Sequence, residues 1–102
     1  MKEILDFVKE EHKRKTKHYC LEDNSKTKYT ILAKLMEEVG ELSEAILTID
    51  SLQRTNKLSK KIDLEGELAD VILVTFVLAE ELKVDISKSL KNKMKKVKSR
   101  KN

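Results

Sequence analysis

Five carboxylates in two short clusters are the residues of this 102-residue sequence best suited to chemistry. Glu37, Glu38 and Glu41 stand in one segment, with Glu44 close behind, and Glu67 and Asp70 stand in another. Residues three or four apart share a helix face, so Glu38 with Glu41, Glu37 with Glu41, and Glu67 with Asp70 can each aim two carboxylates at one point. Two such helices side by side would make a cage of oxygen ligands alone, which suits hard divalent cations, Mg²⁺ first and Mn²⁺ second. Glu is also an ordinary helix-surface residue, and for Glu37 and Glu44 the two readings stand level. Asp70 is different, because it lies between Ala69 and Val71 in the most apolar segment of the chain. A lone buried carboxylate costs several kcal/mol or takes up a proton. The expectation is therefore a buried Asp70 neutralised by metal.

The two glycines directly precede acids of these clusters, Gly40 before Glu41 and Gly66 before Glu67. Inside a helix each costs roughly 0.5–1 kcal/mol relative to alanine. Close approach of backbone to a metal or ligand would account for that cost, with chance placement as the alternative.

The elements that must carry these acids read as helices. Proline is absent, glycine occurs only twice, and 39% of the residues are hydrophobic, which gives one all-helical domain over residues 1–102. A first, polar helix is expected from Lys2 to Lys15, with Ile4, Leu5 and Val8 as its apolar stripe, followed by a polar stretch over Thr16–Ser25. The second runs from Thr27 to Ile49. There Ile31, Leu35, Val39, Leu42, Ile46 and Ile49 recur at spacings of three and four, the mark of one buried face. Asp50–Ser59 is polar and aperiodic and reads as a loop, with at most a helical turn at Leu52. Asp63 can cap a third helix running to Leu82, apolar on nearly every side from Leu68 to Ala79 and hence central and buried all round. Asp85 can cap a fourth, with Ile86, Leu90, Met94 and Val97 inward. Part of the third helix is expected to face another subunit, since a chain this small buries only about 60–70% of the surface it exposes when unfolded.

Net charge is +4, and the excess is local: Lys88, Lys91, Lys93, Lys95, Lys96, Lys98, Arg100 and Lys101 crowd the end while the middle is acidic. Such a tail suits a polyanion or a solvated helix end. One cysteine, Cys20, cannot form an internal disulfide, which points to a reducing cytoplasm. No signal-peptide core stands at the N-terminus, and the run Val71–Ala79 is too short to span a bilayer. His12 and His18 lack a second ligand pair at zinc spacing and are expected to be exposed. A glycine-rich phosphate loop is absent.

The stretches KLMEEVGELSEAI (Lys34–Ile46), ELADVILVTFVLAEELKVDI (Glu67–Ile86) and KNKMKKVKSR (Lys91–Arg100) together resemble the MazG-like branch of the all-alpha nucleoside triphosphate pyrophosphohydrolases. Its hallmark is EExxE, a gap, then ExxD, matched here by Glu37, Glu38, Glu41, Glu67 and Asp70. The resemblance covers about residues 28–100. It implies a four-helix all-α bundle with two long central antiparallel helices, completed by assembly into dimers or tetramers. It also implies an enzyme that cleaves nucleoside triphosphates between the α and β phosphates to a monophosphate and pyrophosphate, as nucleotide-pool housekeeping. By that analogy Glu38, Glu41, Glu67 and Asp70 hold Mg²⁺, and Glu37 positions or deprotonates water or supports the ligands, so Glu37 and Glu38 carry the catalysis. Lys93 and Arg100, with Lys34, are the candidates for the triphosphate. Relatives often carry K-M-x-x-N-x-x-R and then Tyr-Pro near the end; here Lys93, Met94 and Arg100 match, Val97 replaces the asparagine, and Lys101 and Asn102 stand where Tyr-Pro would. That departure bears on base or sugar preference.

Three other readings compete, one of them a catalytically silent helical oligomer that keeps the fold, against which the retention of all five motif acids argues. Phosphoribosyl-ATP pyrophosphohydrolase, of histidine biosynthesis, shares the acidic pattern. A basic helical nucleic-acid-binding module would use the lysine-rich end but leaves Glu67 and Asp70 without a purpose.

Overall fold

In the computed structural model, which describes residues 1–18, 26–55 and 62–100, all regular structure is helical. Four helices follow in order: α1 (Lys2–His18), α2 (Thr27–Thr55), α3 (Leu64–Glu81) and α4 (Ile86–Ser99). The caps read from the sequence are present. The Asp63 carboxylate accepts from Gly66 N–H at 3.0 Å, and that of Asp85 accepts from Lys88 N–H at 3.0 Å, each satisfying a donor that a helix start leaves open. The end of α3 closes with Lys83 N–H donating to Glu80 C=O and Val84 N–H donating to Ala79 C=O. This is a Schellman turn with lysine, at φ 58°, in the left-handed position that glycine usually fills.

The central helix is α3, packed against α2 and α1 and touched more lightly by α4. One buried cluster joins Val8 of α1, Ile31 of α2 and Val74, Phe76 and Val77 of α3, ringed by half-buried Leu5, Leu35, Leu73, Leu78 and Ile86. The radius of gyration is 17.1 Å, against about 13 Å for a compact chain of this length. The single chain is open.

Several sequence expectations are corrected. Helices α1 and α2 run further than periodicity suggests, to His18 and Thr55, because a polar segment free of Gly and Pro continues a helix without any apolar stripe. Residues 19–25 and 56–61, including Cys20 and the remainder of both expected loops, lie outside the described residues, as does the side chain of His18. Val39 and Ile46 are exposed. The covered seam of α2 is instead Ile31, Leu35, Glu38, Leu42, Ala45 and Ile49, at alternating spacings of four and three, because α2 meets its neighbours along one narrow line. Leu90, Met94 and Val97 are exposed rather than inward, since α4 packs only lightly, with Ile86 at its start set against the core. Nor is α3 buried all round: Leu68 and Ile72 face outward on the single chain.

His12, expected to be exposed, is half-buried and ties α1 to α3, its Nε2 lying 2.7 Å from Glu81 Oε1. Neither glycine marks a close backbone approach to the site. Nothing lies within 4 Å of where a Gly40 Cβ would stand, whereas a Cβ on Gly66 would run into the capping carboxylate of Asp63. Gly66 thus serves its own helix cap.

Candidate metal centre

The α2 seam places one carboxylate where a hydrocarbon would otherwise sit. Glu38 falls between Leu35 and Leu42 on the line that meets α3, and only 6% of it is exposed. On α3, Glu67 and Asp70 are three residues apart and share a side. The two helices bring one carboxylate oxygen from each of Glu38, Glu67 and Asp70 within 4.8 Å of one another. The burial is opposite to the sequence expectation: Asp70 is exposed and Glu67 half-buried, while the desolvated member is Glu38. Asp70 sits in an apolar stretch, but among the described residues its side of α3 borders an open cleft and is left exposed.

Three carboxylates this close repel one another, and two of their oxygens have nothing to offset it. Glu38 Oε2 and Glu67 Oε2 are buried without a hydrogen-bond partner. An unsatisfied buried carboxylate oxygen is costly. The other oxygen of Glu38, Oε1, accepts from Lys34 Nζ at 3.1 Å, and Lys34 also lies 3.6 Å from Glu37 Oε1. That hydrogen bond to Glu38, with the fields of Glu37, Glu38 and Glu41, holds the Lys34 ammonium above its ordinary pKa despite partial burial. One lysine covers one oxygen and leaves two buried acceptors without a partner. A hard divalent cation would satisfy both, and an all-oxygen donor set of this kind suits Mg²⁺ or Mn²⁺.

Glu41 lies outside the trio yet within its field. Its carboxyl is solvent-exposed, and the neighbouring charge of Glu38, then slight desolvation, Glu67 and Glu37, still raise its pKa. Glu37 is exposed on the outer side of α2. Glu44, read as either functional or surface, faces a shallow depression with Glu41, Thr48 and Glu67. Lys93 and Arg100 are exposed on and just after α4. Neither lines the cleft that holds Glu38 and Asp70 or the depression beside Glu67. That cleft, about 310 Å³, has Lys34, Glu38 and Asp70 on one side and Phe7, Arg14 and Lys15 of α1 on the other. Sequence reasoning assigned no site residue to α1. Its only signal there was the basic run Lys13–Lys15, which cannot be told from a solvated helix face without knowing what α1 packs against.

Residues 26–102 match the MazG nucleotide pyrophosphohydrolase domain. The chain belongs to that family. No curated protein and no solved structure matches it. The MazG match starts at the beginning of α2, so it contains the whole carboxylate centre and leaves α1 outside. Membership sets the general class of activity, pyrophosphohydrolysis of nucleotide substrates, and the acids of its EExxE and ExxD pattern include the three that converge. Among the described residues of this MazG chain, no helix is long and apolar enough to cross a membrane.

Proposed function

We propose that the protein is a Mg²⁺-dependent pyrophosphohydrolase that converts ribo- or deoxyribonucleoside triphosphates to the monophosphate and pyrophosphate, as a cytoplasmic guard of the nucleotide pool. The observation that carries this reading is the convergence of Glu38, Glu67 and Asp70 with two buried, unpartnered carboxylate oxygens. Glu38, Glu67 and Asp70 would hold the cation, with Glu41 joining from the rim, and Mn²⁺ would substitute. When bound, the ion supplies charge neutralisation at the phosphates and a water of lowered pKa.

In the reaction a water oxygen bonds to phosphorus at the α–β linkage and the bridging P–O bond breaks. One fragment leaves as pyrophosphate and the other as the nucleoside monophosphate. The chain's own residues orient, neutralise and accept the proton. Glu37, exposed on α2 next to Glu38, would take the proton of the attacking water, and Lys34, in contact with both, would hold Glu37 and Glu38 in register. Lys34 is also the nearest of the candidate phosphate cations; Lys93 and Arg100 would reach the phosphates only from another copy of the chain.

The reading includes assembly. The open single chain, the outward Leu68 and Ile72, and the uncovered Leu90, Met94 and Val97 support a bundle completed by a second copy as a dimer or tetramer. It also takes α2 and α3 as an antiparallel central pair, because Lys34 shares a cleft with Leu73 and Val77 whereas Thr48 shares one with Ile62 and Glu67.

The test is pyrophosphate release from a panel of the common ribo- and deoxyribonucleoside triphosphates, with Mg²⁺, with EDTA and with Asp70→Asn. Metal-dependent release lost in the variant is expected. Release unaffected by EDTA, or intact in Asp70→Asn, would overturn the assignment of the centre. Turnover confined to phosphoribosyl-ATP would move the enzyme to the histidine pathway.

A further inference from the structure

One wall of the cleft belongs to α1, which the MazG match does not include. Phe7, Glu11, Arg14 and Lys15 follow one another along one face of that helix and line the cleft opposite Glu38 and Asp70. The cations of this cleft are not equivalent. The Arg14 guanidinium is engaged by Glu11 through two hydrogen bonds, at 2.8 and 3.0 Å. Lys34 is engaged by Glu38 and Glu37. Lys15 is half-buried and makes no hydrogen bond or ion pair among the described residues, its charge acting on Glu11 one turn back only through space. It also borders a small recess with Lys34, Thr30 and Ile31, so α1 and α2 meet beside the cleft at these two lysines.

A triphosphate drawn toward three carboxylates needs positive charge at the same place, because the acids alone would exclude it. We propose that Lys15 is a substrate-phosphate-binding residue, so that α1 supplies the cationic wall of the site and the functional centre extends beyond the family domain. This rests on the nucleoside triphosphate reading above and names a group within that site. A lysine ammonium serves as a point charge for phosphate oxygens, with three donors to offer. Lys13, two positions away, is the natural control: it is 75% exposed and lies 3.9 Å from Glu10.

The experiment titrates inorganic tripolyphosphate into the full chain at fixed free Mn²⁺, for wild type, Lys15→Met, Lys15→Arg and Lys13→Met, alongside Mn²⁺ titrations without the anion. The expected result is at least about a tenfold loss of tripolyphosphate affinity in Lys15→Met, as for loss of a charge-assisted hydrogen bond. Lys15→Arg should recover most of it, Lys13→Met should match wild type, and Mn²⁺ affinity should stay constant throughout. If Lys15→Met does not retain the wild-type circular dichroism, Lys15→Gln takes its place. Unchanged affinity in the neutral variant, an equal loss in Lys13→Met, a parallel loss of Mn²⁺, or no binding by wild type would each overturn the proposal. Pyrophosphate release measured on the same proteins separates the two readings. Lys15-dependent binding without turnover of any nucleotide sinks the hydrolase and keeps the anion site; turnover with Lys15-independent binding does the reverse.

Discussion

The two halves of α3 have nearly the same composition and opposite surroundings. In the C-terminal half Val74, Phe76, Val77 and Ala79 are buried, covered by α2 and by Val8 of α1, with His12 pinned to Glu81 at the far end. In the N-terminal half Leu68 and Ile72 are 47% and 52% exposed, and Glu67 and Asp70 stand among them. An apolar residue is buried by whatever packs on it, not by its own nature. The covered half is a frame that holds helix positions, and on the function proposed above the open half would keep its carboxylates within reach of a cation and a polyanion.

The sharpest way to break the comparison is to place the same charge in each half. Val77→Asp puts an unpaired carboxylate into the main cluster and should cost about 3–5 kcal/mol, most of the stability of a domain this size. Ile72→Asp should leave helicity intact. If a second copy covers the open half, Ile72→Asp should also lower the mass measured by light scattering. A folded Val77→Asp protein, or an Ile72→Asp protein that loses its circular dichroism, would show that the two halves are not distinguished in this way.

A second substitution sharpens the meaning of the open half. Glu67 contributes like charge to the trio and an unpartnered oxygen. Without metal, Glu67→Gln should raise stability by about 1 kcal/mol through relief of repulsion, a melting shift of roughly 4–8 °C for a domain this size. With Mn²⁺ at about a hundred times its dissociation constant, wild type should gain about 2.7 kcal/mol, whereas Glu67→Gln should gain far less. Paired thermal melts with and without Mn²⁺ measure both. A variant that is no more stable without metal, yet still gains fully from Mn²⁺, would remove Glu67 from the centre.

Much of this arrangement was legible beforehand. Helix count, the Asp63 and Asp85 caps and the meeting of Glu38 with Glu67 and Asp70 all follow from local rules of capping and spacing. What was misjudged depended on neighbours. Periodicity says which side of α2 is apolar, but the seam that is covered carries Glu38 and passes by Val39 and Ile46. The alternation of four and three from Ile31 to Ile49 held that information, yet a glutamate on it reads as an interruption until a second helix is set against it. Asp70 was expected to be buried because of its flanks, although a flank does not cover a side chain on a helix. The α1 wall of the cleft was invisible for the same reason. No motif marks it, and Lys15 differs from Lys13 only in what α1 rests on.

The smallest expected effect concerns how α1 holds its cleft face beside the frame. The side-chain hydrogen bond from Arg14 holds the Glu11 carboxyl below its ordinary pKa of 4.5, against a slight desolvation that pushes the other way. A carboxylate whose pKa is depressed by folding stabilises the folded state above its unfolded pKa and loses that contribution as pH falls through the folded value. Stability from this pair is therefore present at neutral pH and disappears in acid, below pH 4.5. Because Arg14 is 65% exposed, screening keeps the effect to a few tenths of a kcal/mol. Denaturant titrations of wild type and Glu11→Gln at neutral pH and in acid should differ by that much at the first and coincide at the second. A gap that widens in acid would reverse the sign and mean that Glu11 is stabilised in its protonated form. The same variant removes the negative charge of Glu11 that acts on both Arg14 and Lys15, so tripolyphosphate affinity should rise modestly in Glu11→Gln. That gain would tie the cleft face of α1 to the anion side of the open half and leave the buried half of α3 untouched.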